Sequence, residues 1–385
     1  MLFAAPHHAV ASLALAAAIG TAGTAGLATP AFAHDGPGHH GHQAPAVFVQ
    51  TDDPAGNTVV AYDRNPDGTL TQADSYGTDG LGGVLTGSVV DHLASQGSLA
   101  LDESRHRLYA VNAGSDTVTV FGVDGDTLTR REIVPSGGSF PVSIAVQGGL
   151  VYVLNARDGG SVQGFYRTRG GLVPIAGSNR SLGLDASATP EFVNTPGQVA
   201  FSPDGSQLLV TTKANGNDVD VFSVRHDGSL SATPTANNLP GAVPFAVSWD
   251  GAGRLVLAEA GTNSVATFRL DGHGVLHALG TAATGQAATC WIVRSQDRFY
   301  ASNAGSANLS GYQVGRDGSL RSLGTTATDP GTVDATATRD GRYLYVQAGA
   351  AGQVDAYRVG HDGSLTSLGS VTVPNAVGGE GIAAE

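Results

Sequence analysis

The chain reads as an all-β protein, a seven-bladed β-propeller of four-stranded antiparallel blades, and three features lead there. A turn of the form Asp-Gly-Ser/Thr-Leu recurs seven times, its leucine seven or eight positions after an aromatic residue. Those leucines (Leu70, Leu128, Leu172, Leu230, Leu276, Leu320, Leu365) lie 58, 44, 58, 46, 44 and 45 residues apart, a period near 45 with two insertions. No helical period of ten or more residues appears after residue 40. Asp-Gly between alternating apolar runs signals a hairpin, because glycine supplies the positive φ of the turn.

Taken in order, the first repeat begins at Ala46 with what is elsewhere a second strand. Val47-Phe48-Val49-Gln50 aligns with Leu108 to Asn112, and Tyr62 leads to Asp67-Gly68-Thr69-Leu70. The second has Phe121 before Gly125-Asp126-Thr127-Leu128, and the third is degenerate, Phe165 before Gly170-Gly171-Leu172. The fourth shows the unit most clearly. Gln198 to Phe201 is a strand, Ser202-Pro203-Asp204-Gly205 a turn, Gln207 to Thr212 a second strand and Lys213 to Asp218 a loop. Val219 to Val224 is a third strand, and Leu230 opens a fourth after Asp227-Gly228-Ser229. Phe268 with Asp271-Gly272, Tyr312 with Asp317-Gly318-Ser319 and Tyr357 with Asp362-Gly363-Ser364 mark the last three. Gly381 to Ala384 resembles the inner strand Ser143 to Val146. It is expected to complete the first blade beside Val47 to Gln50, closing the ring and removing its exposed edges.

Residues 1–33 read as a secretory signal, with an apolar Val10 to Ile19 and a cleavage site Ala31-Phe32-Ala33. The apolar run falls short of the roughly 18 residues of a membrane span. Cleavage after Ala33 predicts a secreted, extracellular protein. Residues 34–45 form a polar, disordered leader whose His34, His39, His40 and His42 either bind a divalent metal or are incidental; residues 46–385 are the propeller. With 33 acidic against 20 basic residues, a net charge of −13, nucleic acid and anionic membranes are poor partners, and no membrane insertion is expected. A monomer without cofactor or resident metal is the expectation. The single cysteine, Cys290, reads as a small buried hydrophobe beside Trp291.

Propellers work at a mouth of the central channel. The second strands end at Gln50, Asn112, Asn155, Thr212, Glu259, Asn303 and Gln347, a polar set either lining that mouth or closing local Asx-turns. Glu259 is its carboxylate, and Lys213 follows Thr212. Both insertions, Ser75 to Gln96 (with Asp79, Asp91 and His92) and Ser178 to Thr195 (with Arg180, Asp185 and Glu191), leave an outer strand and return to an inner one. They therefore fall on that same face. Glu259 and Glu191 are the candidate catalytic carboxylates; Gln50, Asn112, Asn155, Gln198, Lys213, Asn303 and Gln347 are candidate binding residues.

Phe201-Ser202-Pro203-Asp204-Gly205, the run Leu108 to Val118, the Asp-Gly-Ser-Leu turns and Cys290-Trp291 with Ser302 to Ser306 resemble the β-propeller lactonase family. That family includes 6-phosphogluconolactonases and 3-carboxymuconate cyclases, and secreted actinobacterial members are similar. The resemblance spans residues 46–385 and implies a lactone or carbohydrate-like small molecule as ligand. Family enzymes commonly carry Gly-Pro-Arg/His-His before an inner strand. Thr195-Pro196-Gly197-Gln198 stands here instead, with neither imidazole nor guanidinium, so a scaffold with other chemistry, or none, stays open. Three readings follow: a lactone hydrolase, a non-catalytic propeller binding a sugar, peptide or envelope partner, and a Ca²⁺-dependent lactonase using Glu259 and the asparagines.

Overall fold

The computed structural model describes residues 45–385, so the expected signal and the His-rich leader lie outside the described residues. Seven antiparallel sheets form the blades, each built on four strands ordered from the axis outward, with a short fifth strand on blade 3. Blade 4 is Gln198–Phe201, Gln207–Thr211, Asp218–Ser223 and Thr235–Asn238. Blade 1 is stitched from both ends of the chain, Ile382–Ala384 pairing with Ala46–Gln50 in the register Val47↔Ala384, Phe48↔Ala383 and Val49↔Ile382. The closure expected from the sequence is therefore present, and no inner edge is left open.

In five blades a β-bulge falls where the third strand meets its recurrent aromatic: at Tyr62, Phe121, Phe268, Tyr312 and Tyr357. The bulge bends the outer strand and strengthens its twist, which lets flat hairpins wrap into a propeller. The core lies between blades. Tyr343 and Tyr345 of blade 7, for example, pack with Val47, Val60 and Tyr62 of blade 1. Buried tyrosine hydroxyls add directional ties: Tyr152, Tyr300 and Tyr345 each donate to the glycine carbonyl of the next blade's turn, Gly228, Gly363 and Gly68.

Two local expectations are corrected. The fourth strand of blade 4 forms at Thr235–Asn238 rather than from Leu230, which makes only an isolated bridge to Val224. There the Arg180 guanidinium of the second insertion takes the carbonyls of Leu230 (2.9 Å) and Ser231 (2.8 Å), and the Ser223 amide that would pair with the Ser231 carbonyl goes to its hydroxyl instead (3.2 Å). The stretch after Thr212 is a one-turn helix, Lys213–Gly216, closed by Asn217 at φ 54°. The second insertion also adds a short strand, Arg180–Ser181, to blade 3.

Candidate functional site

Links from second to third strands, and from each blade to the next, share one end of the propeller. Both insertions emerge there, and the first enters the channel. Its end, Ser95 and Gln96, and the two residues that lead from it into blade 2 contact the inner strands of blades 3 and 6 and the approach to that of blade 4. Ser98 and Gly97 accept the amides of Val111 (3.0 Å) and Ile144 (2.8 Å), and Gln96 donates its own amide to Gly197 (3.0 Å). The Gln96 side chain accepts from the Ile292 amide at 2.9 Å, while the Trp291 indole donates to the Ser95 carbonyl. Such contacts satisfy polar groups that an empty channel would leave to water. The insertion was expected over the mouth; it fills it.

Beneath this plug the chain buries charge. The Lys213 ammonium, 1% exposed, donates to the carbonyls of Ala94 (2.7 Å) and Phe192 (2.6 Å) and to Thr195 Oγ1 (3.1 Å), and sits 5.3 Å from the Phe245 ring centre. Asp52 Oδ2 accepts the Glu380 amide at 2.8 Å, and Glu380 accepts from the Ser95 amide (3.3 Å) and hydroxyl. Asp91 Oδ2 has no hydrogen-bond donor among the described residues, and the Glu380 carboxyl lies beside Asp91. Burial shifts every one of these groups. It pushes Asp52 and Asp334 up to about 7 and Lys213 down to about 8. Glu380 is raised well above the usual carboxylate range by burial and by the charges of Asp91 and Asp52. Asp52, Ala94 and Lys213 also hold left-handed backbone, φ 53°, 48° and 53°. Left-handed non-glycine residues recur at this end of other blades, as at Asp116, Asp158, Asn263 and Ala307, so it is the buried charge that sets this cluster apart as a candidate site.

The polar strand ends do not form a single ring. Asn112, Asn155, Thr212, Glu259 and Asn303 hold equivalent positions opposite the start of the third strand. Gln50 and Gln347 fall one residue earlier, Thr51 and Ala348 taking the equivalent places. A one-residue offset turns a side chain to the other face of its sheet. Asn112 accordingly donates to Thr117 and Thr119 and accepts from Asn57; Asn303 donates to Asn308 and Ser310 and accepts from Thr289. Glu259 accepts from Ser264 (2.6 Å) and Thr262 (3.4 Å) of its own hairpin, and Asn155 reaches Ser161 at 3.5 Å. Gln50 instead contacts Asp52, with Gln347 donating to the Gln50 carbonyl (3.1 Å), and both glutamines keep an unpartnered Oε1. Gln198 accepts the Val247 amide at 2.6 Å.

Glu191 starts a one-turn helix, Glu191–Asn194, on the rim of an open cavity of ≈ 170 Å³. Burial alone would raise its carboxyl, but hydrogen bonds from Arg157 (2.7 Å) and the Thr86 amide (2.7 Å) outweigh it and hold it at about 2. Such a carboxylate anchors a guanidinium and is a poor proton acceptor at neutral pH. Thr195 lines the same cavity while accepting from Lys213, which links the cavity wall to the buried ammonium.

The chain matches the family described as lactonase, 7-bladed β-propeller, over residues 55–174 and 259–381. It belongs to that lactonase family. No curated protein matches it. Among solved structures this lactonase-family propeller resembles the Pseudomonas aeruginosa periplasmic gluconolactonase (18% identity, covering 88% of this chain and 98% of that one, TM-score 0.68). It also resembles a candidate 6-phosphogluconolactonase of Bacteroides uniformis (18%, 90% and 100%, TM-score 0.73) and a protein from Lactobacillus plantarum (21%, 89% and 99%, TM-score 0.71). At these identities the likeness is one of fold.

Among the described residues no three His, Cys, Asp or Glu side chains converge as metal ligands, and the amide oxygens of Asn112 and Asn303 are already occupied by donors. The burial-raised Cys290 thiol is not poised as a nucleophile. Sequence reading missed Asp52, Asp334 and Glu380 as site residues. A carboxylate in the inner strand Thr332–Ala337, whose other residues are threonine, valine and alanine, and another just before the closing strand, were the available signals.

Proposed function

We propose that this lactonase-family propeller hydrolyses a small hydroxylated lactone at the plugged mouth, with Asp52, Glu380 and Lys213 as its acid–base machinery. The observation carrying the reading is a lysine and two carboxyls, displaced toward neutrality by burial, on the axis of a lactonase-family fold beside an open cavity. Groups whose environments pull their proton affinities apart can divide acid and base roles. Water adds to the lactone carbonyl as its proton passes to the Asp52 carboxylate, and the Lys213 ammonium stabilises the oxyanion. The ring C–O bond then breaks, the alkoxide leaving with the proton held by Glu380, and proton return from Asp52 to Glu380 restores the site. The plug segment 91–96 covers these groups, so substrate entry requires it to withdraw from Lys213.

That same cover favours a second reading, a non-catalytic binding propeller whose ligand occupies only the Arg157–Glu191 cavity. Acid release from a panel of γ- and δ-aldonolactones, corrected for spontaneous hydrolysis, separates the two. Turnover abolished in Lys213→Met and Glu380→Gln but retained in Glu259→Gln supports catalysis here. Turnover lost only in Glu259→Gln moves the chemistry to that hairpin, and no turnover with saturable lactone binding selects the binder. Export with cleavage after Ala33, and action as a monomer outside the cytoplasm, complete the proposal.

A further inference from the structure

The opposite end of the propeller carries an unassigned cluster of positive charge. Arg105, Arg107, Arg131, Arg167 and Arg169 line three adjoining cavities between blades 2 and 3, one of ≈ 250 Å³ and two of ≈ 380 Å³. That is a quarter of the chain's 20 cationic residues, in a protein of net charge −13. Arg167 pairs with Asp102. Arg105, Arg107, Arg131 and Arg169 make no ion pair among the described residues. Asp102, Glu103 and Glu132 line the same cavities, but Asp102 pairs with Arg167 and Glu103 with Arg339. Four guanidinium groups therefore face a single carboxylate without an ion pair, Glu132, and Arg107 meets only backbone carbonyls through Nη1. The excess of like charge is a cost that an anionic ligand removes.

A second observation points into the same groove. Tyr109 is 1% exposed, lines the ≈ 250 Å³ cavity, and its hydroxyl has no partner among the described residues. Its equivalents Tyr152, Tyr300 and Tyr345 all donate to a glycine carbonyl of the next blade's turn. The next turn after Tyr109 is the degenerate one. The pairing Thr168↔Gly171 leaves only Arg169 and Gly170 in the loop, where Arg64↔Leu70 encloses five residues around Gly68. The shortened turn does not bring a carbonyl to Tyr109, and Glu132 caps it by accepting the Leu172 amide at 2.8 Å. An orphan donor and guanidinium groups without an ion-pair partner therefore share one cavity, at a blade junction where the five-residue turn is cut to two.

We propose that this groove binds a small ligand carrying two or more oxyanion groups, a phosphate ester or a polycarboxylate, held by bidentate contacts from Arg107 and its neighbours and by the Tyr109 hydroxyl. Arginine's planar fork matches either oxyanion. The site is independent of the lactone-hydrolysing face.

The test is calorimetric titration of the full chain with inorganic phosphate, pyrophosphate and citrate at low ionic strength, with thermal melting alongside. One saturable site per chain is expected, with a raised melting temperature and affinity that falls as salt rises. Losing a charged hydrogen bond costs on the order of tenfold or more in affinity, the effect expected of Arg107→Gln with Arg169→Gln. Tyr109→Phe is expected to weaken binding severalfold while leaving the unliganded melting temperature unchanged, because no protein partner is lost. Preference for pyrophosphate assigns a phosphate ligand, and preference for citrate a carboxylate. Absence of saturable binding by all three probes, or equal affinity in wild type and the arginine variant, overturns the proposal whatever the outcome of the lactone assays.

Discussion

Lys213 Nζ donates to the Ala94 carbonyl at 2.7 Å across 119 residues of sequence, and both residues hold left-handed backbone, at φ 53° and 48°. The contact ties the one-turn helix of blade 4 to the segment that plugs the channel. Neither conformation is comfortable for a residue with a Cβ, so each is maintained by what surrounds it.

Lys213→Met should therefore do two things. It leaves the Ala94 and Phe192 carbonyls and the Thr195 hydroxyl without their donor, which is expected to lower stability by about 2–4 kcal/mol in chemical denaturation. It should also abolish lactone turnover in the fraction that remains folded. Wild-type turnover by that fraction would remove the lysine from the mechanism.

The raised carboxyls make stability depend on pH. Asp52 and Asp334 ionise near 7 when folded and near 3.8 otherwise, so between those values the folded chain binds more protons and these groups lose stabilising effect as pH rises. Lys213 runs the other way: folded near 8 against 10.5, its contribution grows as pH rises between those values. Asp52→Asn should flatten the decline between pH 4 and 7, by up to about 1.4 kcal/mol per pH unit. Urea melts at pH 4.5, 7 and 9.5 check both slopes. An unchanged slope in Asp52→Asn would place that titration elsewhere.

Deleting residues 379–384 removes the innermost strand of blade 1, the pairings of Val47, Phe48 and Val49, and the Glu380 carboxyl. Each lost ladder hydrogen bond is worth about 1 kcal/mol net, and the bared edge invites association. A lower melting temperature with aggregation on size exclusion is expected. A truncation that melts like the full chain and stays monomeric would show that closure contributes little.

Gln96→Ala tests the plug. It strands the buried Ile292 amide and loosens the segment over Lys213, at an expected cost of about 1–3 kcal/mol. If withdrawal of that segment limits substrate entry, turnover rises even as stability falls, and faster hydrogen exchange in residues 91–96 should accompany it. Unchanged exchange and turnover would mean the plug is not the gate.

Secreted protein recovered from the medium should begin at His34 on N-terminal sequencing. A product starting at Met1 and retained in the cell would exclude the export reading.

The propeller was legible because its cues are local and repeated. An Asp-Gly turn needs only its own glycine at positive φ, as at Gly68, Gly318 and Gly363, and seven copies at one period leave few architectures. Closure was legible for the same reason, since Gly381 to Ala384 looks like an inner strand without a repeat of its own. The candidate site was legible only in part. Lys213 stood out as a lysine at a strand end, but Glu259 drew attention for a position that its own hairpin explains. Gln50 and Gln347 were aligned with residues one register place away. Side chains at strand ends differ by a single residue between facing the axis and facing a neighbour, and sequence alignment of short strands does not resolve that step. Only the tertiary structure brought Asp52, Asp91 and Glu380 against one another, because the ring joins Asp52 to Glu380 across 328 positions and the desolvation that shifts their protons exists only once the channel is plugged. It likewise decided Tyr109, whose missing partner follows from a turn two residues long on the adjoining blade. The repeating turns determined which strands form; the closing of the ring determined which charges are left facing each other without water.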